Sequence, residues 1–164
     1  MDIQIFTAGG TIDKVYFDAK SEYAVGDPQI ADIMQVARVG FDFSCEVLVQ
    51  KDSLDMTDTD RDYIAGRIAA SGADRIILTH GTDTMVETAK AVAARLGPNP
   101  HQTVILVGSL APARFKRSDA EFNIGFAAAA VQTLPPGVHV TMNGQVFNPN
   151  AVRKNRNENR FEVL

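Results

Sequence analysis

Five short apolar runs recur along the chain, each followed by turn residues and usually by a helical pattern. They predict β-strands at residues 3–6, 43–49, 75–78, 104–107 and 138–142. Helical spacing predicts helices at residues 30–37, 58–70, 84–96 and 119–132. The middle runs are continuous rather than alternating, which is typical of strands buried on both faces. Strands that alternate with helices favour an α/β fold with a three-layer parallel sheet.

Two of the predicted helices begin with a recognisable capping pattern. Thr57 precedes Asp60 by three positions, and Thr84 precedes Glu87 by three. A hydroxyl followed three residues later by an acid is typical of a capping box at a helix N-terminus. We therefore expect Thr57 and Thr84 to cap the second and third helices.

Two polar segments lie outside the predicted helices and strands. Residues 9–26 form a long connection with glycine at both ends, and a loop of that length in a compact domain is more often a lid than an idle linker. Residues 148–160 are rich in Asn and Arg, so we predict a surface loop or tail within a polar C-terminal segment, residues 148–164. Residues 1–164 are otherwise expected to form a single domain.

Composition and charge exclude several classes of partner. The net charge is −4, and no long basic run precedes the last dozen residues, which argues against a nucleic-acid or membrane-surface partner. No apolar stretch approaches the length of a membrane span, and no signal-peptide pattern precedes the first strand. We therefore expect a cytoplasmic protein. The single cysteine, Cys45, lies in an apolar run and is expected to be a small buried hydrophobe.

Polar residues follow the carboxyl end of each of the first four predicted strands. Hydroxyls, carboxylates and glycines occupy residues 7–12, 51–56, 79–85 and 108–112. Ligands of open parallel sheets bind beyond the carboxyl ends of the strands. These residues therefore indicate a site at one edge of the sheet.

Each of these residues, taken singly, also fits a purely structural role. Sharp turns or helix caps would account for Gly9, Gly10, Ser53, Asp55, Thr82 and Asp83. His80 has no second ligand at zinc-binding spacing, so we expect a hydrogen-bonded histidine under the loop and no metal. Their convergence on one edge is what favours a functional interpretation.

The chemistry that fits these residues is nucleophilic attack on an acyl carbon. A threonine hydroxyl attacks only when a neighbour takes its proton. Backbone N–H groups of a glycine-rich turn can stabilise the developing oxyanion. Gly10-Thr11 and Gly81-Thr82 stand at the ends of the first and third strands, which can be neighbours in a doubly wound sheet.

Two segments resemble the signature motifs of bacterial-type L-asparaginases: Ala-Gly-Gly-Thr-Ile at residues 8–12 and Thr-His-Gly-Thr-Asp-Thr-Met at residues 79–85. Weaker matches follow the family's order at residues 21–25, 53–56 and 152–155. The resemblance covers the family's N-terminal catalytic domain. It implies a flavodoxin-like (Rossmann-like) fold and hydrolysis of L-asparagine to L-aspartate and ammonia without a cofactor, with some glutaminase activity.

The resemblance also implies roles for individual residues. Thr11 would be the nucleophile, activated by Tyr23 from the lid, while Thr82, Asp83 and Lys154 would form a second triad. Which threonine carries the covalent intermediate stays open. The residues that would contact the substrate are Ser53, Gly81, Asp83 and Ser109. For Lys154 the alternative is a solvated surface lysine.

The chain departs from the family pattern in three respects. Leu54 stands where larger relatives commonly carry a substrate-contacting glutamine, and Ala8 and Asp13 replace the usual neighbours of the Gly-Gly-Thr core. The family's second domain, which completes the pocket from a neighbouring copy, is not matched. We therefore expect a homo-oligomer, most simply a two-fold dimer, with the alanine-rich helix at residues 122–131 as the candidate contact.

Two rival functions remain open at this point. One is a non-catalytic module that binds an amino acid. It has no need of Tyr23 and Lys154 together with Thr11, Thr82 and Asp83, so the presence of all five favours an enzyme. The other is nucleotide binding, which is disfavoured because neither G-x-G-x-x-G nor G-x-x-x-x-G-K-[ST] occurs.

Overall fold

The computed structural model of the chain describes residues 1–17 and 22–164. In chain order its elements are β1 (Asp2–Gly9), β2 (Lys14–Phe17), β3 (Glu22–Val25), α1 (Ile30–Val36), β4 (Asp42–Lys51), α2 (Asp58–Ala69), β5 (Arg75–Thr79), α3 (Met85–Leu96), β6 (Thr103–Val107), α4 (Ala120–Thr133), β7 (Gly137–Met142), β8 (Gln145–Phe147), β9 (Val152–Asn155) and β10 (Arg160–Val163). Short 3-10 turns cover Thr11–Asp13, Ser53–Asp55 and Pro149–Ala151. All five predicted strands and all four predicted helices are present, with ends shifted by a few residues.

The central sheet has six strands in the order β4-β1-β5-β6-β7-β8. The pairs from β4 to β7 are parallel, and β8 pairs with β7 antiparallel. The five parallel strands follow the flavodoxin-like order, whose ligand position lies between its first and third strands. Here those strands are β1 and β5, which are direct neighbours with Thr7 opposite Thr79. The predicted α/β class and parallel sheet are confirmed.

Two apolar cores lie on opposite faces of this sheet. Successive residues of a strand point to opposite faces, so Ile76 and Leu78 enter the core under α2 and α3, whereas Ile77 enters the core under α1 and α4. All three side chains are fully buried. This arrangement explains the continuous apolar runs of the middle strands.

One of the two capping predictions is confirmed and the other is wrong. Thr57 and Asp60 form the predicted capping box at the start of α2. The prediction for Thr84 is wrong: it occupies the N-cap position of α3 without capping it, and its hydroxyl donates to the carbonyl of Ser53 at 2.7 Å. The Thr84 hydroxyl thus bonds to a second loop instead of capping the helix as the local sequence predicts.

Two antiparallel hairpins flank the sheet. β2 and β3 form one of them within the segment predicted as a lid, residues 9–26, of which residues 18–21 lie outside the described part. β9 and β10 form the other, with Val152 and Phe161 buried. The expected C-terminal loop or tail is therefore corrected to a hairpin that packs on the core under α3.

Two further expectations are changed by burial. Cys45 is exposed rather than buried, because β4 forms the edge of the sheet where the covering helices leave part of the strand open. Most apolar residues of α4 pack against the sheet, which leaves Phe122, at 62% exposure, as its exposed aromatic side chain. Within the described residues, the helices lack the length and apolar character needed to cross a bilayer.

Candidate active site

The loops that follow β1 and β5 touch through two glycines. A Cβ atom on Gly10 would collide with the Cα and N atoms of Gly81, and Gly10 also has a φ of +93° that disfavours any side chain. A Cβ atom on Gly81 would lie 2.6 Å from Oγ of Ser53. The two glycines thus allow the two loops to contact each other directly, with the Ser53 turn beside them. Thr11 and Thr82 are the residues that follow these glycines.

Lys154 joins the C-terminal hairpin to the loop after β5. Its Nζ atom donates to Oγ1 of Thr82 at 2.7 Å and to Oδ1 of Asp83 at 2.9 Å. Thr82 is buried, and the side chains of Lys154 and Asp83 are largely shielded from solvent. The alternative in which Thr82 and Asp83 merely cap α3 is therefore wrong, as is the alternative of a solvated Lys154.

Thr11 lies in an open pocket of about 310 Å³ beside the hairpin of β2 and β3. The pocket is lined by Thr11, Lys14, Tyr23, Pro112 and Phe115. The ring centroids of Tyr23 and Phe115 are 6.1 Å apart with the rings tilted, so the two aromatic side chains contact each other at the pocket. Tyr23 is 54% exposed, and the site is open to solvent on this side.

The Ser53 turn is held by its own N-cap residue, by the loop after β5 and by the first residue of β2. Asp52 caps it by accepting from the amide of Leu54, and Thr84 donates to the carbonyl of Ser53. Nζ of Lys14 lies 2.6 Å from Oδ2 of Asp52. Partial burial raises the pKa of Asp52, but the hydrogen bonds from Lys14 and the Leu54 amide outweigh it together with the charges of Lys14 and Lys154. The net pKa is lowered. Ser53 is buried and backed by an ionised carboxylate.

His80 lies beneath this cluster rather than in it. It is fully buried, and its ring nitrogens contact the carbonyl of Gly81 at 2.8 Å and the hydroxyl of Thr88 at 2.8 Å. Burial lowers the pKa of His80 to about 4, so the ring is neutral at physiological pH. The expected hydrogen-bonded structural histidine is confirmed.

The loop after β6 is held by hydrogen bonds within the loop and from the start of α4. Ser109 is buried, and its hydroxyl donates to the carbonyl of Ala111 in the same loop, so the structure does not bring it into the Lys154 cluster. Asp119 accepts from the amides of Leu110 and Ala111. Asn123 donates to the carbonyl of Gly108 at 3.0 Å. The start of α4 therefore fixes the loop that leads to Phe115.

Three side chains at the site were missed from the sequence. Lys14 and Phe115 line the Thr11 pocket, and Nε of Arg156 lies 3.5 Å from Oδ1 of Asp83. Asp119 just before α4 was a usable signal for an ordered loop, but nothing in the local sequence marks Lys14 or Arg156. In the described ranges, 1–17 and 22–164, no group of three or more His, Cys, Asp or Glu residues could hold a metal ion.

Comparison with known proteins identifies the family. The family model described as Asparaginase, N-terminal, matches residues 2–162. L-asparaginase 2 of Escherichia coli is 32% identical over 169 residues, which cover 93% of this chain and 46% of that protein. A glutamyl-tRNA(Gln) amidotransferase component from Aeropyrum pernix is also 32% identical, over 87% of this chain and 35% of that protein.

Solved structures show the same fold. The thermostable L-asparaginase from Thermococcus kodakarensis superposes with a TM-score of 0.84 at 26% identity, over 100% of this chain and 51% of that one. L-asparaginase I from Vibrio cholerae gives a TM-score of 0.81 at 30% identity, over 99% of this chain and 51% of that one. The chain spans about half or less of the length of these relatives. The chain belongs to the asparaginase family, and it matches the N-terminal domain of that family over nearly its whole length.

Proposed function

We propose that this chain hydrolyses the side-chain amide of L-asparagine to L-aspartate and ammonia, with Thr11 as nucleophile and weaker activity on L-glutamine. The observation that carries the proposal is the pair of hydrogen bonds from Lys154 to Thr82 and Asp83. A module that only binds an amino acid has no need of a largely buried ammonium ion held on a threonine hydroxyl.

In this proposal, Lys154 orients Thr82 in the second triad. Because its ammonium ion donates to Oγ1 of Thr82, that oxygen acts as the acceptor, and the hydroxyl proton of Thr82 points to another partner. Asp83 holds the ammonium in place at 2.9 Å. The hydroxyl proton of Thr82 is thereby left free for a hydrogen bond to the attacking group or water.

The reaction proceeds in two acyl-transfer steps. Oγ1 of Thr11 attacks the amide carbon while its proton passes to the Tyr23 hydroxyl, which gives its own proton to the amide nitrogen. The tetrahedral intermediate then re-forms the carbonyl and expels that nitrogen as ammonia. The resulting ester on Thr11 is then attacked by water, which releases L-aspartate and restores the hydroxyl. Backbone N–H groups of the glycine turn stabilise the oxyanion in both steps. The alternative with Thr82 as the esterified residue uses the same groups.

Substrate recognition is assigned to the loops around the two threonines. Ser53 and Asp83 would bind the α-carboxylate and α-amino groups of the substrate, and Gly81 would contribute backbone contacts. Ser109 would contribute backbone or side-chain contacts; its hydroxyl donates to the carbonyl of Ala111, so its oxygen remains available as an acceptor. Leu54, at 65% exposure, offers the substrate no hydrogen bond.

The open site favours assembly with a second copy. Acyl transfer benefits from excluding water around the oxyanion donors, because hydrogen bonds are stronger at lower dielectric. The Thr11 pocket is open to solvent beside Tyr23. We propose a homo-oligomer, most simply a two-fold dimer, that covers it.

Ammonia release by the purified chain tests the proposal against its rivals. L-asparagine, L-glutamine and D-asparagine are compared, and we expect release in that order. Binding of L-asparagine without ammonia release would indicate the amino-acid-binding module instead. The identity with an amidotransferase component favours, as a second candidate, delivery of the amide nitrogen to an acceptor rather than release to water. In that case hydrolysis by the chain alone is negligible with both amides.

A further inference from the structure

Asp13 is a buried carboxyl two residues after Thr11 that the proposed chemistry does not use. It is 1% exposed. Its Oδ1 atom accepts from the backbone amide of Gln29 at 2.9 Å, across 16 residues of chain. Its backbone carbonyl accepts from the amide of Gly26 at 2.8 Å. Asp13 therefore binds the returning end of the segment that contains the β2–β3 hairpin.

The same residue is tied to the nucleophile. The amide of Asp13 donates to the carbonyl of Gly10 at 3.2 Å, which closes the 3-10 turn that contains Thr11. The β2–β3 hairpin begins at Lys14, directly after Asp13, and pairs Tyr16 with Tyr23. The position of Tyr23 relative to Thr11 is thus fixed through Asp13 at the base of the hairpin.

The opposite side of the hairpin base has its own attachments. Lys14 is paired with Asp52, and Nε2 of Gln50 donates to the carbonyl of Gly26 at 2.8 Å. The side chains of Lys14 and Asp52 are partly exposed, whereas the Asp13 side chain is buried. A solvent-accessible ion pair contributes at most about 1 kcal/mol, while a buried amide left without its acceptor costs about 1–3 kcal/mol. The Asp13–Gln29 bond is therefore the buried side-chain constraint at the base.

The chemistry of this position favours a hydrogen-bond acceptor over a charge. Burial raises the pKa of Asp13 to about 6, despite the hydrogen bond from Gln29 and the positive charge of Arg114 on the loop after β6. The Cys45 thiol on β4 also lies within electrostatic reach. A neutral side chain of the same shape should hold the Gln29 amide equally well.

We propose that Asp13 is a positioning residue, whose side-chain bond to Gln29 holds the base of the β2–β3 hairpin and so places Tyr23 against Thr11. The kinetic part of this inference rests on the proposed function. The structural part, the restraint on the hairpin, does not.

Substitutions at Asp13 separate the acceptor from the charge. Asp13→Ala removes the acceptor, whereas Asp13→Asn keeps an oxygen of the same geometry. For Asp13→Ala we expect kcat on L-asparagine to fall about tenfold, with KM changed far less, because misplacing a catalytic group acts on the transition state. Asp13→Asn should restore kcat at pH 7.5. The matched control is Asp27→Ala, an exposed aspartate two residues before Gln29.

Hydrogen exchange provides a readout that needs no activity. In Asp13→Ala the amides of β2 and β3 should exchange at least about tenfold faster, with Asp13→Asn and Asp27→Ala close to wild type. Unchanged hairpin exchange in Asp13→Ala, or an Asp13→Asn variant as impaired as Asp13→Ala, overturns the inference. If Asp13→Ala does not fold, rapid exchange of the Gln29 amide in the wild-type protein would overturn it too. Inactivity of the wild type with the expected exchange pattern contradicts the proposed function alone.

Discussion

The Nζ atom of Lys154 donates to Oγ1 of Thr82 over 2.7 Å, although the two residues are 72 positions apart in the chain. The bond connects the C-terminal hairpin to the loop after β5, and Asp83 accepts from the same ammonium ion. The hairpin is thereby part of the candidate site and not only a cover for α3.

Replacing Lys154 by methionine tests this connection. Met keeps most of the stem volume but removes the donor, so Thr82 loses its orientation while the hairpin core of Val152 and Phe161 stays in place. We expect kcat to fall about a hundredfold or more, with little change in the melting temperature. Steady-state kinetics and calorimetry measure both. Lys90→Met, at an exposed position of α3, is the control, and equal kcat values for the two variants would remove Lys154 from the mechanism.

Replacing Thr11 by alanine tests the nucleophile. The change removes one hydroxyl beside the contact of Gly10 and Gly81 and leaves both glycines in place. Ammonia release should drop by roughly a thousandfold or more, because no other hydroxyl occupies that position. The control is Thr133→Ala, at the far end of α4, which should retain full activity. Near-normal turnover by the Thr11 variant would move the covalent step to another residue, with Thr82 as the next candidate.

Leu54 sets an expectation for affinity. It follows Ser53 in the 3-10 turn and is exposed, so a polar side chain there can reach the substrate region without disturbing the core. Leu54→Gln adds a hydrogen-bonding group worth about 0.5–1.5 kcal/mol, which corresponds to a KM for L-asparagine about two- to thirteenfold lower. Leu54→Met controls for the change of shape. A KM unaffected by glutamine, or lowered equally by methionine, contradicts this role of the position.

The sequence predicted the fold well because its central strands are buried on both faces. Ile76, Ile77 and Leu78 all enter one core or the other, and such runs are visible without knowledge of the partner strands. Thr84 shows where the local pattern fails. Its hydroxyl could have capped α3, but it donates instead to the carbonyl of Ser53, which lies 31 positions away in the chain. The exposure of Cys45 depends on strand order, which periodicity does not encode.

The candidate site also contains residues that the local sequence predicts and residues that it does not. Thr11 and Thr82 stand beside glycines at strand ends, where residue type and topology together predict a site. Lys154 came from the family motif alone, because a lysine between polar residues carries no local signal. Lys14 and Phe115 were missed because their position depends on the hairpin and on the loop held by Asp119.

The stability of the protein should depend on pH through Asp13. Burial raises its folded-state pKa from 3.8 to about 6, so the folded protein holds this proton more tightly than the unfolded chain. The resulting stability is complete below pH 3.8, is lost as pH rises towards 6, and stays lost above it. Asp13→Asn never ionises. At pH 7.5 it should be more stable than wild type by about 2–3 kcal/mol.

Urea unfolding at several pH values measures this difference. The gain of Asp13→Asn over wild type should shrink as pH falls from 6 to 4, while the exposed control Asp27→Asn shows no such trend. A gain that is constant with pH would assign the effect to packing rather than ionisation. A variant less stable than wild type at pH 7.5 would show that the ionised carboxylate is favourably paired in the folded protein.

Assembly into a homo-oligomer is the remaining expectation. The pocket of Thr11 is open beside Tyr23, and a second copy related by a two-fold axis can cover two such sites with one interface. Most of the apolar surface of α4 is already used against the sheet, so the contact predicted over the whole helix reduces to the surface around Phe122. Light scattering across a dilution series, run beside the ammonia assay, should show a dimer that loses activity as it dissociates. Phe122→Ser should shift dissociation to higher protein concentration if α4 forms the contact. A fully active monomer would show that one chain suffices and that the hairpin of β2 and β3 alone shields the site.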